Sequence, residues 1–459
     1  MRQEPDASAD TPSQDDGDLA SNQEVTEVLK EVKTQIKTDD DEAVDKAEVI
    51  SGYKQLDAAS EGVEKSMAEV DKIFNSLESL SDLVVAHESY GHEFVNPHYR
   101  RASMTALESI IFTTVQPEVV TEWIALEAES DAAVAAKLFG RMVWKTVRGT
   151  LRTLIELLKQ LFAKLREMVR QMIAVSSIQK RRAKALQGRL RAMRATADVP
   201  DPVIENEAIA MALYKETDLV SVNADVSQLR YIAEGIYGEI AEWARNLGNQ
   251  IADYLNNANL IEKQIPPPVL QPRIPNGDSF DVPDPGVFGL TVSKSIKVVR
   301  SNELLGKTYI LTKLPRNEDY SQDILKLAET YSEVGTELYQ GSIDVSDVKA
   351  SLRVLSLIEI NQILENVGQT LMLVDNYDRA GYVISDIEKR IIKGTKKVEE
   401  ELDQLNEGTH KDFVIFAQRC AMAAPRIVEQ PALSFSRYYL NLTRNLLDYV
   451  EASLDRYPQ

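Results

Sequence analysis

The sequence predicts a mainly α-helical protein: an elongated multi-helix bundle with long heptad-patterned helices and one small β-hairpin after a proline-rich linker. Three observations carry that prediction. Apolar residues recur at intervals of three and four through most of the chain. Runs rich in β-branched residues are confined to one short stretch near residue 300, and seven prolines crowd into 266–286. With 459 residues, 44% of them hydrophobic, there is ample material for a buried core.

Residues 1–20 hold almost nothing apolar and are expected to be disordered, because they cannot offset the entropy of ordering. Ser21-Asn22-Gln23-Glu24 has capping-box spacing and opens a short helix carrying Val25, Val28, Leu29, Val32 and Ile36. A second helix is predicted over 61–85, with Val63, Met67, Val70, Ile73, Leu77 and Leu80 on one side. From Trp144 the apolar steps alternate three and four through Val147, Leu151, Leu154, Leu158, Leu161, Leu165, Met168, Met172 and Val175, a sustained heptad. Ile155, Phe162 and Val169 add a third apolar column, which suits the core of a bundle better than a two-stranded seam. Lys145, Arg152, Lys159 and Arg166 fall on one flank, and the tract Lys180-Arg181-Arg182-Ala183-Lys184 follows.

Pro200 and Pro202 end that segment, and another long helix is predicted over 226–256, its small residues (Gly235, Gly238, Ala241, Ala244, Gly248, Ala252) allowing close helix approach. The proline-rich waist comes next. Leu290–Val299 and Thr308–Lys313, joined by Ser301-Asn302-Glu303-Leu304-Leu305-Gly306, read as the hairpin. Helical periodicity then returns over 321–340, 346–375, 379–406, 409–424 and 434–456. The expected organisation is an acidic leader (1–88), a helical bundle (89–265) containing the basic helix 141–194, a linker (266–286), the hairpin (287–315) and a C-terminal helical domain (316–459).

The formal charge of −20 is unevenly spread. Residues 1–93 hold 24 acidic and 8 basic residues, whereas residues 141–194 hold 2 and 15. The first thirty residues lack the basic start and apolar stretch of a signal peptide, and no eighteen-residue apolar run occurs, so neither export nor a membrane span is expected. The single cysteine, Cys420, excludes an internal disulfide and reads as a buried structural thiol.

Tests for chemistry argue against an enzyme. His87, His92 and His98 lie close together, but His87 and His92 are five apart rather than four, which would not aim two helical imidazoles at one metal. There is no Walker-type loop and no nucleophile elbow, and Gly235-x-x-Gly238 sits inside a helical pattern. No catalytic residue, metal or cofactor is expected. The basic helix has three readings: a solvated face whose cations pair with acidic helices elsewhere in the chain, a flank that binds nucleic-acid backbone without sequence preference, or a cationic amphipathic helix on a membrane. Its regular heptad fits a protein partner better than a membrane, and self-association through 144–175 is one form of that.

Ala86-His87-Glu88, followed by Ser89, stands between the acidic leader and the folded body. It resembles the maturation sites of head proteins in giant tailed phages of the phiKZ type, where a prohead protease cuts after glutamate in a small residue–x–Glu motif. Gly91-His92-Glu93 fits the same pattern. So do Ala59-Ser60-Glu61, Gly62-Val63-Glu64, Ser76-Leu77-Glu78, Ala106-Leu107-Glu108 and Ala125-Leu126-Glu127, most of them in predicted helices that a protease could not enter without unfolding, whereas the Gly91 region is expected to be extended and exposed. The basic helix from Val143-Trp144-Lys145, the Arg181-Arg182-x-x-Ala185-Leu186 tract and the Ser301–Gly306 turn are similar to features of the internal head proteins of such phages; together the likeness touches 86–310.

That resemblance implies a non-enzymatic structural protein inside the phage head, made in the host cytoplasm and processed by a prohead protease acting in trans. Its implied neighbours are other head or capsid proteins and packaged DNA, with Lys145, Arg152, Lys159 and Arg166 as backbone contacts. Cutting after Glu88 would separate a leader of net −15 from a body of net −5. The rival readings are an unprocessed cytoplasmic coiled-coil adaptor and a His-dependent metalloenzyme.

Overall fold

The computed structural model describes residues 46–90, 95–114, 126, 129, 131–193, 203–215, 222–256, 279–316, 333–344, 346, 348, 351–376, 378–401 and 411–457. The short helix expected at 21–38, the Gly91-His92-Glu93 motif and most of the linker lie outside them.

The mainly α architecture is as expected, and two helices dominate it. Helix α1 spans Lys46–Tyr90, α2 spans Pro97–Thr114 and α3 spans Ala132–Ala192. At 1.5 Å per residue the 61-residue α3 is about 90 Å long. Asp131 caps it, its carboxylate accepting from the backbone N–H groups of Ala133 (2.8 Å) and Val134 (3.2 Å). The heptad positions Val147, Leu151, Leu154, Leu158, Leu161, Leu165, Met168, Met172 and Val175 are all buried. They pack on α1 and on the later helices of the same chain. The seam that could have joined two copies is therefore filled from within.

α1 runs antiparallel to α3 along most of its length: Glu48 ion-pairs with Arg181, Ser66 accepts from Lys164 Nζ at 2.6 Å, and His87 meets Phe139. Val49, Tyr53, Leu56, Val63, Val70, Ile73, Leu77 and Leu80 are buried in this contact. Gly52 fits the close approach there, since a β-carbon would come 3.1 Å from Ile178 Cδ1. At about 1.5–3 kcal/mol for each large apolar side chain fully buried, this face is a substantial part of the core. The expected division after Glu88 is thus not a division in the packing.

Strand β1 (Val203–Glu205) and helix α4 (Glu207–Ala212) follow. Next come α5 (Val222–Gly235), a π-helical turn (Ile236–Ile240) and α6 (Ala241–Asn256), where one uninterrupted helix is predicted. The π-turn sets Tyr237 against α9, described below: its hydroxyl hydrogen-bonds Ser436, and its ring stands edge-on to Phe435 at 6.0 Å. The expected hairpin is the centre of a four-stranded antiparallel sheet in the order β2 (Phe280–Val282), β3 (Ile296–Arg300), β4 (Thr308–Pro315), β5 (Gly335–Gln340). β2 comes from within the expected linker, anchored by Phe280 over the Arg300 guanidinium at 5.0 Å. β5 replaces the end of the helix predicted over 321–340, because Thr336 and Leu338 pair with Thr312 and Ile310 of β4.

Strand β6 (Ser351–Arg353) occupies the start of the helix predicted at 346 and pairs antiparallel with β1, Val203 opposite Arg353. Helices α7 (Leu357–Asn376), α8 (Asp378–Glu401) and α9 (Lys411–Leu454) complete the chain. α9 runs through Pro425 and Pro431, where two separate helices are predicted. Each proline forfeits a backbone hydrogen bond, and the buried face Leu433, Phe435, Tyr439, Leu442, Leu446, Val450 and Leu454 holds the helix together. One hydrophobic cluster joins α1, α3, α5, α6, α7, α8, α9 and the sheet. The expected C-terminal domain consequently shares its core with the rest.

Candidate nucleic-acid interface

The two halves of α3 differ in charge. Between Asp131 and Glu156 the sequence has no acidic residue, and it places Lys137, Arg141, Lys145, Arg148 and Arg152 at steps of four, four, three and four. At 100° per residue these five fall within an arc of about 80°, over about 22 Å of helix. Lys137, Arg141, Lys145 and Arg152 are exposed and Arg148 is half-buried. The opposite face carries the buried heptad residues, with Thr146 and Thr150 satisfied by donating to the carbonyls of Met142 (2.9 Å) and Thr146 (2.7 Å).

Beyond Glu156 the same flank is neutralised. Lys159 pairs with Glu156 at 2.6 Å, one turn away. Arg166 pairs with Glu388 of α8, whose side chain is only 10% exposed. Burial holds the Glu388 carboxyl above its usual range, and Arg166 opposes that shift. Further on, Lys180 meets Asp375, Arg181 meets Glu48, and Arg189 meets Asp455 at 2.6 Å. Arg182, with 12% of its side chain exposed, binds both Asp448 and Glu451 at 2.6 Å. The bundle reading therefore describes this half of the helix. Of the four flank residues selected from sequence, Lys145 and Arg152 are exposed on the stretch without acidic residues, and Lys159 and Arg166 pair with Glu156 and Glu388. Lys137, Arg141 and Arg148 were missed, although the gap in acidic residues that marks them is visible in the sequence.

Ala86, His87, Glu88 and Ser89 are in the last turns of α1, so the motif is helical like most of its rivals. Ala59-Ser60-Glu61, Gly62-Val63-Glu64 and Ser76-Leu77-Glu78 also lie in α1, and Ala106-Leu107-Glu108 lies in α2. The His87 ring packs on Phe139 with centroids 5.2 Å apart. Gly140 admits it, since a β-carbon at that position would come 3.2 Å from His87 Nε2. From α2, the Tyr99 hydroxyl donates to the Ala86 carbonyl at 2.9 Å. These contacts hold the two residues before Glu88 in helical form at the start of the basic stripe. Gly91, His92 and Glu93 lie outside the described residues, as do the side chains of Glu88, Ser89 and Cys420.

Among the described residues no group of three or more His, Cys, Asp or Glu side chains is placed to hold a metal ion. No described helix is long and apolar enough to cross a membrane. The apolar side of the basic helix is covered by neighbouring helices.

The chain matches the family model of phiKZ-like phage internal head proteins over residues 40–452. No curated protein and no solved structure matches it. The matched region begins ahead of α1 and so includes the helix that the sequence alone suggested as part of a removable leader.

Proposed function

We propose that this chain, which belongs to the phiKZ-like phage internal head proteins and is a structural component inside the phage head, meets packaged DNA through the N-terminal half of α3 and has no catalytic role. The observation that carries this reading is the stripe Lys137, Arg141, Lys145, Arg148 and Arg152 on a stretch without a single acid. Its length of about 22 Å matches roughly six base-pair steps of duplex DNA at about 3.4 Å each, enough for several phosphate contacts. Such contacts recognise the backbone and not the bases, as a protein packed against a whole genome requires. The overall charge of −20 does not oppose this, because at physiological salt charges more than about 8 Å away are largely screened and the local stripe decides. The test is salt-dependent retention of the full chain on duplex DNA, with the exposed cations of the stripe reversed in charge.

The same reading includes processing by a prohead protease in trans, after Glu88 or Glu93, next to other head and capsid proteins. Cutting after Glu88 requires the last turn of α1 to unwind and His87 to leave Phe139, a local opening that leaves the rest of α1 in place on α3. Cutting after Glu93 leaves both the His87–Phe139 and the Tyr99–Ala86 contacts in place. The new amino terminus, read by mass spectrometry of protein taken from virions, distinguishes the two. An intact Met1 terminus would refute processing.

A further inference from the structure

We infer that the piece released by a cut after Glu88 or Glu93 does not leave: residues 46–88 remain bound as a second polypeptide, and the processed protein is a non-covalent two-chain assembly. The occasion for this rests on the processing reading, but the binding does not. Hydrolysis of one peptide bond consumes a water molecule and creates a carboxylate on the glutamate and a new α-amino group on the next residue. It removes no contact between α1 and the body.

Those contacts run along the length of α1. Leu56, Leu77 and Leu80 are at most 1% exposed, and Val49, Tyr53, Val63, Val70 and Ile73 line the same face. Polar ties sit among them. Tyr53 donates to the Leu440 carbonyl of α9 and accepts from Gln179 Nε2 of α3 at 3.0 Å, in a fully buried position. Glu48 pairs with Arg181 at one end, Lys164 donates to Ser66 midway, and Arg437 of α9 reaches Glu64 at 3.1 Å. Departure of α1 would expose this apolar face of α3 and α9 to water and exchange its hydrogen bonds and ion pairs for contacts with solvent. The partner that fits the groove between α3 and α9 is therefore an amphipathic helix with the apolar register of Val49, Tyr53, Leu56, Val63, Val70, Ile73, Leu77 and Leu80, and the chain supplies it.

A charge consequence follows. Glu48, Asp57, Glu61, Glu64, Glu69, Asp71, Glu78, Asp82 and Glu88 stay with the particle, so processing does not strip the acidic charge of α1 from the body. The drop in net charge from −20 to −5 expected for a departing leader does not occur while the helix is docked.

The test uses the full chain carrying a specific protease site inserted between Tyr90 and Val95, cut after folding and passed over a size-exclusion column in native buffer. Both pieces are expected in one peak at 1:1 ratio, separating only in denaturant. Elution of the N-terminal piece away from a body that keeps its helical circular dichroism would overturn the inference. The same question is answered in virions by peptide quantitation: peptides from 46–88 at the same abundance as peptides from 132–192, alongside a new terminus at Ser89 or Phe94, support it. A new terminus with those peptides absent overturns it. An intact Met1 in virions refutes processing alone, and the column experiment still decides retention.

Discussion

Arg166 on α3 ion-pairs with Glu388 on α8, 222 residues away in sequence, and the glutamate is nearly buried. A cation that belongs by periodicity to the basic flank of α3 is thereby drawn into the fold. Arg166→Ala leaves a buried carboxylate without its partner and should lower stability by about 1–3 kcal/mol, the usual cost of orphaning a buried polar group. It should leave the salt dependence of DNA retention unchanged. Denaturant titration and a binding series on the same variant check both halves.

Gly394 on α8 faces α6 so closely that a β-carbon would lie 2.5 Å from Leu255 Cβ and 2.9 Å from the Leu255 carbonyl carbon. No flexible side-chain end is available to give way, so the helices must separate. Gly394→Ala is expected to cost about 1–3 kcal/mol through overpacking, despite the better helix propensity of alanine. The midpoint of chemical denaturation should fall, where an exposed glycine in a helix would give a rise.

Ser356 and Glu359 form a reciprocal capping box at the start of α7: the Glu359 carboxylate accepts from the Ser356 N–H at 2.9 Å, and the Glu359 N–H donates to the Ser356 hydroxyl at 3.3 Å. Hydrogen bonding from Arg353 then holds the Glu359 carboxyl well down, at about 2. A carboxylate with a depressed folded-state pKa contributes stability that is fully present above the ordinary carboxylate range and is lost as pH falls through its folded value. Glu359→Gln keeps the cap acceptor and removes the charge. The stability gap between wild type and variant should be full at pH 5 and above and shrink towards pH 2, measured by denaturation at a series of pH values.

Much of this fold is legible from local pattern. The buried heptad of α3, the helical body of α1 and the β3–β4 hairpin all follow from spacing that the sequence displays. What escaped depends on partners far along the chain. β5 is short, and only its pairing with β4 makes Gly335–Gln340 a strand. β6 is defined by β1, about 150 residues earlier. The start of α1 was missed although Val49, Tyr53 and Leu56 have helical spacing, a signal that the helix drawn from 61 left out. Ser356-Leu357-Ile358-Glu359 carried the capping-box signal for α7 that a helix drawn from 346 ignored. For the candidate interface, charge counting singled out the basic helix, and the structure divided it: the cations beyond Glu156 are drawn into ion pairs by where Glu48, Asp375, Glu388, Asp448 and Asp455 come to rest.

The most direct test of DNA contact is the salt slope of duplex binding by the full chain, compared with a variant carrying Lys137→Glu, Arg141→Glu, Lys145→Glu and Arg152→Glu. Each phosphate contact contributes about −0.9 to the slope of log affinity against log salt. Losing four contacts should flatten the slope by about three to four units and weaken binding by orders of magnitude at low salt, with the helical content unchanged. A slope and affinity equal to wild type in the folded variant would contradict the assignment of this stripe to DNA.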